Sequence, residues 1–432
     1  VNPLEFYTPL QADIPSRYTT LLFTTLLVGI TAGISGSSVV LLLHYIQHLA
    51  YGYSLEKIIT NQTFLIGVEA ASPERRITLL VLCGILAGLG WSILYRYGNK
   101  LVSIKSAIDS SRPSMPLLAT LCHILLQITT IALGSPLGRE VAPRELSILC
   151  AGFITAKTKL SLAEVRVILC CAAGAGLATV YNIPLAGAIF SVEVLLQKCS
   201  FWALLAAFST SFIAVALSWT VLGNHFAFLV SDAPVTFSLM VWSIVSCPII
   251  GISAYWFRNI TASARKTIPG GYLSLLCILN FTLMGLVAIY FPSLLGNGKS
   301  IAELSFDNQL GIALTLLILF LRVTFTWSSL RVGAKGGLLM PSIAIGALLG
   351  GFSGGIWNVV STVASPLSAY ALIGAAGFLA VSQKMPLTAI VAIFELTGIH
   401  YDFGLPVMSN VIGTICLSKL LEKSLSKNNF PK

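Results

Sequence analysis

Two stretches decide how this chain folds: Ala178-Thr-Val-Tyr-Asn-Ile-Pro184-Leu185, running on to Glu193, and Ala380-Val-Ser-Gln-Lys-Met-Pro386-Leu387, running on to Glu395. Alanine, Pro-Leu and glutamate recur at one offset of 202 residues. Upstream of each copy lies a break that opens on glycine and closes on proline, Gly138 to Pro143 and Gly336-Gly337 to Pro341. Corresponding Gly/Pro-broken apolar segments in two halves of a chain point to a transporter built from repeats, with its site at their interface. A proline near a helix start fits the first turn, where backbone N–H groups are unpaired anyway. Half-helices that begin at membrane depth aim those N–H groups at a bound anion.

The first break carries a charge. Gly138-Arg139-Glu140 separates the apolar stretches Leu117–Leu137 and Val141–Ile154. A carboxylate inside a bilayer is expensive and marks an ion or proton path. At a helix N-terminus it also occupies the place where free N–H groups attract anions. A protonatable group competing with an anion for one site is a gate.

Composition sets the class. Of 432 residues, 56% are hydrophobic and only 10% charged, against roughly 25% charged in soluble domains. Apolar runs of spanning length, about 20 residues, recur at Thr19–Leu43, Ile77–Leu94, Phe201–Leu222, Leu273–Tyr290 and Ile312–Trp327. The expectation is an all-α polytopic membrane protein without a soluble domain. Its single transmembrane domain covers 1–432, with a first repeat at about 18–222 and a second at about 235–425. No cleavable signal peptide is visible, and because the chain starts at Val1 its natural N-terminus is expected upstream.

The net charge of +10 is assigned to cytoplasmic loops rather than to nucleic-acid binding. Arg96, Lys100, Lys105 and Arg112 form one basic segment, and Lys419, Lys423, Lys427 and Lys432 another. The mixed-charge loop Gly52–Arg76, with Glu56 and Lys57, is placed outside. Nine cysteines lie in apolar runs without metal-ligand spacing and read as small buried hydrophobes. His44, His48, His123, His225 and His400 show no catalytic spacing with acids or cysteines. No metal, cofactor or enzymatic activity is therefore expected.

These residues resemble the CLC family of chloride channels and chloride/proton exchangers. Gly134-Ser-Pro-Leu-Gly-Arg-Glu140 is similar to the family's G-[KR]-E-G-P element, and Gly336-Gly-Leu-Leu-Met-Pro341 to its G-G-x-F-x-P element. Asn182-Ile-Pro-Leu-Ala-Gly187 with Phe190 and Glu193 resembles N-x-P-L-A-G-x-x-F-x-x-E, and Gly296-Asn-Gly298 a glycine-rich turn. The resemblance implies inverted repeats of tilted, partly broken helices, a homodimer with one anion pathway per subunit, and a multi-pass place among the lipids of the bacterial plasma membrane. It makes Glu140 the external gating and proton-accepting glutamate. It places Gly138, Arg139, Val141, Ala142, Gly337, Leu338, Leu339 and Met340 around the anion. Glu193 is given a structural role, with Glu395 its repeat partner.

The departures matter equally. Val141-Ala142-Pro143 follows the glutamate, where the family has Gly-Pro. The family's first anion motif, G-S-G-I-P, is replaced by Gly98-Asn-Lys-Leu-Val102, so the Asn99 amide is the candidate for the serine's place. Val194 stands where exchangers carry the inner proton-transfer glutamate. No tyrosine follows Tyr401 to supply the family's pore tyrosine, and Ser426 falls near that place. The implied function is transport of small inorganic anions, chloride first, as anion/proton antiport gated by Glu140. A passive gated chloride channel and a fluoride/proton antiporter stand as alternatives.

Overall fold

A computed structural model describes residues 14–428 apart from 54–58, 60–62, 111–114, 231–232 and 269, and apart from the side chains of 14–17 and 425–428. Glu56, Lys57, Arg112 and the Ser426 side chain lie outside what is described. Helices dominate the described residues. Seven are long and apolar enough to cross a membrane, and an eighth span is possible if the bent pair Phe237–Val245 and Cys247–Ala264 counts as one. Of the apolar runs expected to span, Leu273–Tyr290 forms a helix of only 16 residues, Tyr272–Val287.

Four helices of each half carry the repeat. In the first they are α1 (Leu117–Ala132), α2 (Val141–Thr155), α3 (Leu162–Tyr181) and α4 (Pro184–Phe190). Their counterparts are α5 (Ile312–Arg331), α6 (Leu339–Val360), α7 (Leu367–Gln383) and α8 (Pro386–Thr397). The 202-residue offset holds down to backbone angles. Asn182 ends α3 at φ 57° and ψ 47°, and Lys384 ends α7 at φ 56° and ψ 45°. Each donates its N–H to the carbonyl of the repeat alanine, Ala178 or Ala380. Proline then opens the next helix at both places.

The paired glutamates join the halves. Glu395 accepts the N–H groups of Leu185 and Ala186 at 2.9 and 2.7 Å, at the start of α4. Glu193 accepts those of Leu387 and Thr388, both at 2.8 Å, and the Thr388 hydroxyl at 2.6 Å, at the start of α8. Each half caps the other. Such reciprocity is what a two-fold relation between the halves produces, and it answers amides that hydrocarbon would leave unpaired.

The breaks are joined as well. Gly138 and Gly337 exchange two backbone hydrogen bonds, N–H to O at 2.8 and 2.7 Å. Beside them the fully buried Arg322 of α5 donates to the carbonyls of Leu294 (3.1 Å), Gly296 (2.8 Å) and Pro136 (3.0 Å). One guanidinium thus satisfies three carbonyls of irregular backbone drawn from both halves. Helices α6 and α7 cross closely: a Cβ on Gly374 would lie 2.6 Å from the Gly346 carbonyl oxygen. Small residues allow such approach where lipid offers no hydrophobic drive between helices. Five cysteines are buried as expected, but Cys199, in the link between two helices, and Cys416, on the outer face of the last helix, are exposed.

Hydrogen bonds to charged groups contribute about 1.5–3 kcal/mol each. Glu395→Ala removes two such bonds and is expected to cost about 3–6 kcal/mol and to lower the unfolding temperature in detergent, read by tryptophan fluorescence. Arg322→Ala leaves three buried carbonyls without their donor and is expected to be more damaging, with size-exclusion chromatography showing mostly aggregated protein.

Candidate site around Glu140

Glu140 is the N-cap of α2, and its carboxylate lies at the start of another helix. Its Oε1 accepts the Leu339 N–H at 2.6 Å, the first amide of α6. Its Oε2 accepts the Tyr181 hydroxyl at 3.0 Å. The side chain is 2% exposed. Leu338, immediately before, is the N-cap of α6. The carboxylate therefore sits at the N-terminus of α6, where helix amides favour negative charge.

Two glycines make room for it. A Cβ on Gly337 would lie 1.8 Å from Glu140 Oε1, and one on Gly138 2.2 Å from Oε2. The glycines of the two breaks thus serve close approach of the carboxylate as much as chain reversal. Neither arginine nearby takes the carboxylate. Arg139 stacks over the Tyr181 ring at 5.4 Å and donates to the Val180 carbonyl. Arg144 lies over the Phe190 ring at 4.7 Å.

Cavities lie toward opposite ends of α3. That helix is about 30 Å long by its rise. Near its start, Arg166 pairs with Asp109 at 2.6 Å. At its end, the Asn182 amide donates to Asn224 Oδ1 and to the His225 carbonyl. A cavity of about 350 Å³ near the first end is lined by Leu101, Val102, Ser103, Val141, Glu145 and Gly336, among others. A cavity of about 180 Å³ near the second is lined by His44, Arg139, Tyr181, Asn182, Lys299 and Met340, among others. Arg139 and Val141, the neighbours of Glu140, fall on different cavities. Each cavity carries cationic side chains: Arg139 and Lys299 in one, Arg265 and Lys335 in the other.

The expected site residues are therefore only partly together. Gly138, Gly337, Leu338 and Leu339 surround the carboxylate. Arg139 and Met340 face the smaller cavity and Val141 the larger. Ala142 is fully buried and packs with Val39 and Ile128. Pro143 sits inside the first turn of α2, so the one-residue displacement of the proline leaves the helix start intact. Asn99 is exposed and lies outside both linings, while Leu101, Val102 and Ser103 of the same segment line the larger cavity. Ser103 then caps the short helix Ile104–Asp109. Val194 packs against the main apolar core.

Tyr181, Glu145 and Arg322 were not singled out by their sequence neighbourhoods. Tyr181 lies inside the quoted repeat, but the offset pairs it with Gln383, so repetition gives no signal for it. Arg322 does leave one: an arginine inside the apolar run Ile312–Trp327 is a flagged feature of membrane helices.

Comparison with known proteins identifies the family and the fold. The chain is 23% identical over 419 residues to the H(+)/Cl(-) exchange transporter ClcA of Salmonella paratyphi A, covering 93% of this chain and 86% of that protein. ClcA of Salmonella typhi is also 23% identical, over 423 residues. Among solved structures, a slow cyanobacterial Cl-/H+ antiporter superposes with a TM-score of 0.76 at 17% identity, covering 95% of this chain and 99% of that one. A CLC-type fluoride/proton antiporter gives 0.65 at 19% identity, covering 92% and 95%. The family model for voltage gated chloride channels matches residues 83–419, and the chain belongs to that CLC family.

Proposed function

We propose that this protein moves a small inorganic anion, chloride first, across a membrane in exchange for protons, with Glu140 as the gate. The observation that carries the reading is the Glu140 carboxylate bound to the first amide of α6 between two cavities lined by cations. An anion arriving at α6 competes with the carboxylate for the Leu339 N–H, and the next amide, Met340, lies beside it. At α2 no side-chain cap answers the first amides, and Val141 lies on the wall of the larger cavity. Those amides offer an anion a second station. The larger cavity lies on the side of the basic segment 96–105, the cytoplasmic side by the positive-inside rule. The smaller one, with Arg139 and Lys299, is the external mouth. A homodimer in the bacterial plasma membrane completes the reading by analogy with the family.

Exchange is tested in proteoliposomes by following anion efflux and external pH, with chloride and fluoride compared. Wild-type protein is expected to drive protons uphill on an anion gradient, and Glu140→Gln to abolish that while anion flux persists. Anion flux without proton movement would favour a passive channel. Flux and pH dependence unchanged in Glu140→Gln would remove the gate. Tyr181→Phe deletes one donor to the carboxylate, about 1.5–3 kcal/mol for a bond to a charged group. It is expected to raise resting anion flux roughly tenfold or more.

A further inference from the structure

Five positions after Glu140 on α2 stands a second buried carboxylate. Glu145 is 6% exposed and lines the larger cavity. Gln127 of α1 donates its Nε2–H to Glu145 Oε2 at 3.0 Å. The other oxygen, Oε1, faces His123 Nε2 at 3.7 Å. Trp91 donates its indole N–H to His123 Nδ1 at 2.9 Å, which makes Nδ1 the acceptor and leaves Nε2 to carry the proton of the neutral ring. An imidazole oriented by one neighbour and turned toward a carboxylate is a common arrangement for holding or passing a proton.

The cavity is suited to water. Gln127 Oε1 and Thr120 Oγ1 are buried without a hydrogen-bond partner in the protein. Both residues line the cavity and are at most 1% exposed. Buried polar atoms of this kind are satisfied by ordered water. The cations on the same wall are engaged elsewhere. Lys335 donates to the carbonyls of Arg265 and Thr267 and lies over the Tyr95 ring. Arg265 donates to the Gly336 carbonyl. Arg144, next in the chain, is turned over Phe190. Among the described residues, Glu145 is the one acid in this lining.

We propose that Glu145, set by His123 and Gln127, is the inner proton-transfer residue that serves Glu140. The inference rests on the exchange reading above. A proton from cytoplasmic water binds the Glu145 carboxylate. It is then released to cavity water and taken up by the Glu140 carboxylate once that group has left the α6 amide. No bond other than O–H forms or breaks. The two residues stand five positions apart at the start of α2, about 7.5 Å of backbone rise, and Val141, next to Glu140, lies on the wall of the same cavity as Glu145. Water in that cavity carries the proton between them.

The decisive measurement is the ratio of protons to anions moved in proteoliposomes by wild type and Glu145→Gln. The expected result is anion flux within about threefold of wild type and proton flux reduced at least tenfold. Wild-type coupling ratio in Glu145→Gln overturns the relay alone, and leaves exchange through Glu140 standing. Parallel loss of both fluxes also overturns it, because the role is then structural. A wild-type protein that moves no protons overturns the exchange reading and the relay together. Should Glu145→Gln not be recovered folded, Glu145→Asp decides. Its shorter carboxyl withdraws from His123 and Gln127, so proton flux is expected to fall several-fold at unchanged anion flux. Proton and anion rates equal to wild type overturn the relay.

Discussion

A helix that begins inside a membrane exposes amides that water cannot reach, and the architecture of this protein depends on how those amides are answered. Three of the four repeat breaks receive a carboxylate. Glu395 answers α4, Glu193 answers α8 and Glu140 answers α6. The first two are supplied reciprocally between the halves, so neither half satisfies its own backbone. This makes the two repeats one folding unit rather than two tethered bundles. Arg322 applies the same logic to carbonyls, tying the backbone just before the first break to the Leu294–Gly296 turn of the second half from a single buried side chain.

The third carboxylate differs from the other two in what holds it. Glu193 and Glu395 each accept from two consecutive amides, a fixed two-point cap. Glu140 accepts from one amide and one phenol, and it sits on the N-cap turn before α2 rather than within a helix. Rotation of the Glu140 side chain gives up a single amide, where release of Glu193 or Glu395 would leave two consecutive amides bare. The interaction that is structural at α4 and α8 is thus, at α6, placed where it can be broken. The repeats share their backbone plan and diverge where the gate is proposed: Tyr181 in the first half is Gln383 in the second, and Gln383 donates instead to Ser342.

Much of this was legible in the sequence because backbone constraints leave regular marks. The 202-residue offset, the Gly-led breaks and the paired glutamates each reflect a requirement that both halves must meet, so each is written twice. Glu140 was legible for a related reason, since a carboxylate in an apolar run has few harmless explanations. Side chains used once are harder to see. Tyr181 and Glu145 serve through tertiary placement, and nothing in their spacing distinguishes them from a kink residue or a helix-start acid. Asn99 shows the converse. Its alignment with a family motif suggested a ligand, yet Asn99 is exposed, and the residues of that segment on the cavity wall are Leu101, Val102 and Ser103.

The holding strength of the Glu140 carboxylate bears on how such a gate would work. Two hydrogen bonds to a charged oxygen, at about 1.5–3 kcal/mol each, total about 3–6 kcal/mol. That corresponds to an open fraction between about one in a hundred and one in ten thousand. A gate so held does not leak appreciably by thermal opening alone. It opens when something changes the balance: a proton that removes the charge from the carboxylate, or an anion that takes over the Leu339 amide. Both events act on the Leu339 bond, and the proton weakens the Tyr181 bond as well, so in the proposed exchange proton and anion meet at one carboxylate. The remaining requirement is delivery of the proton from the far side of the gate, and there the fold offers a polar cavity ending at Val141 with one buried acid on its wall.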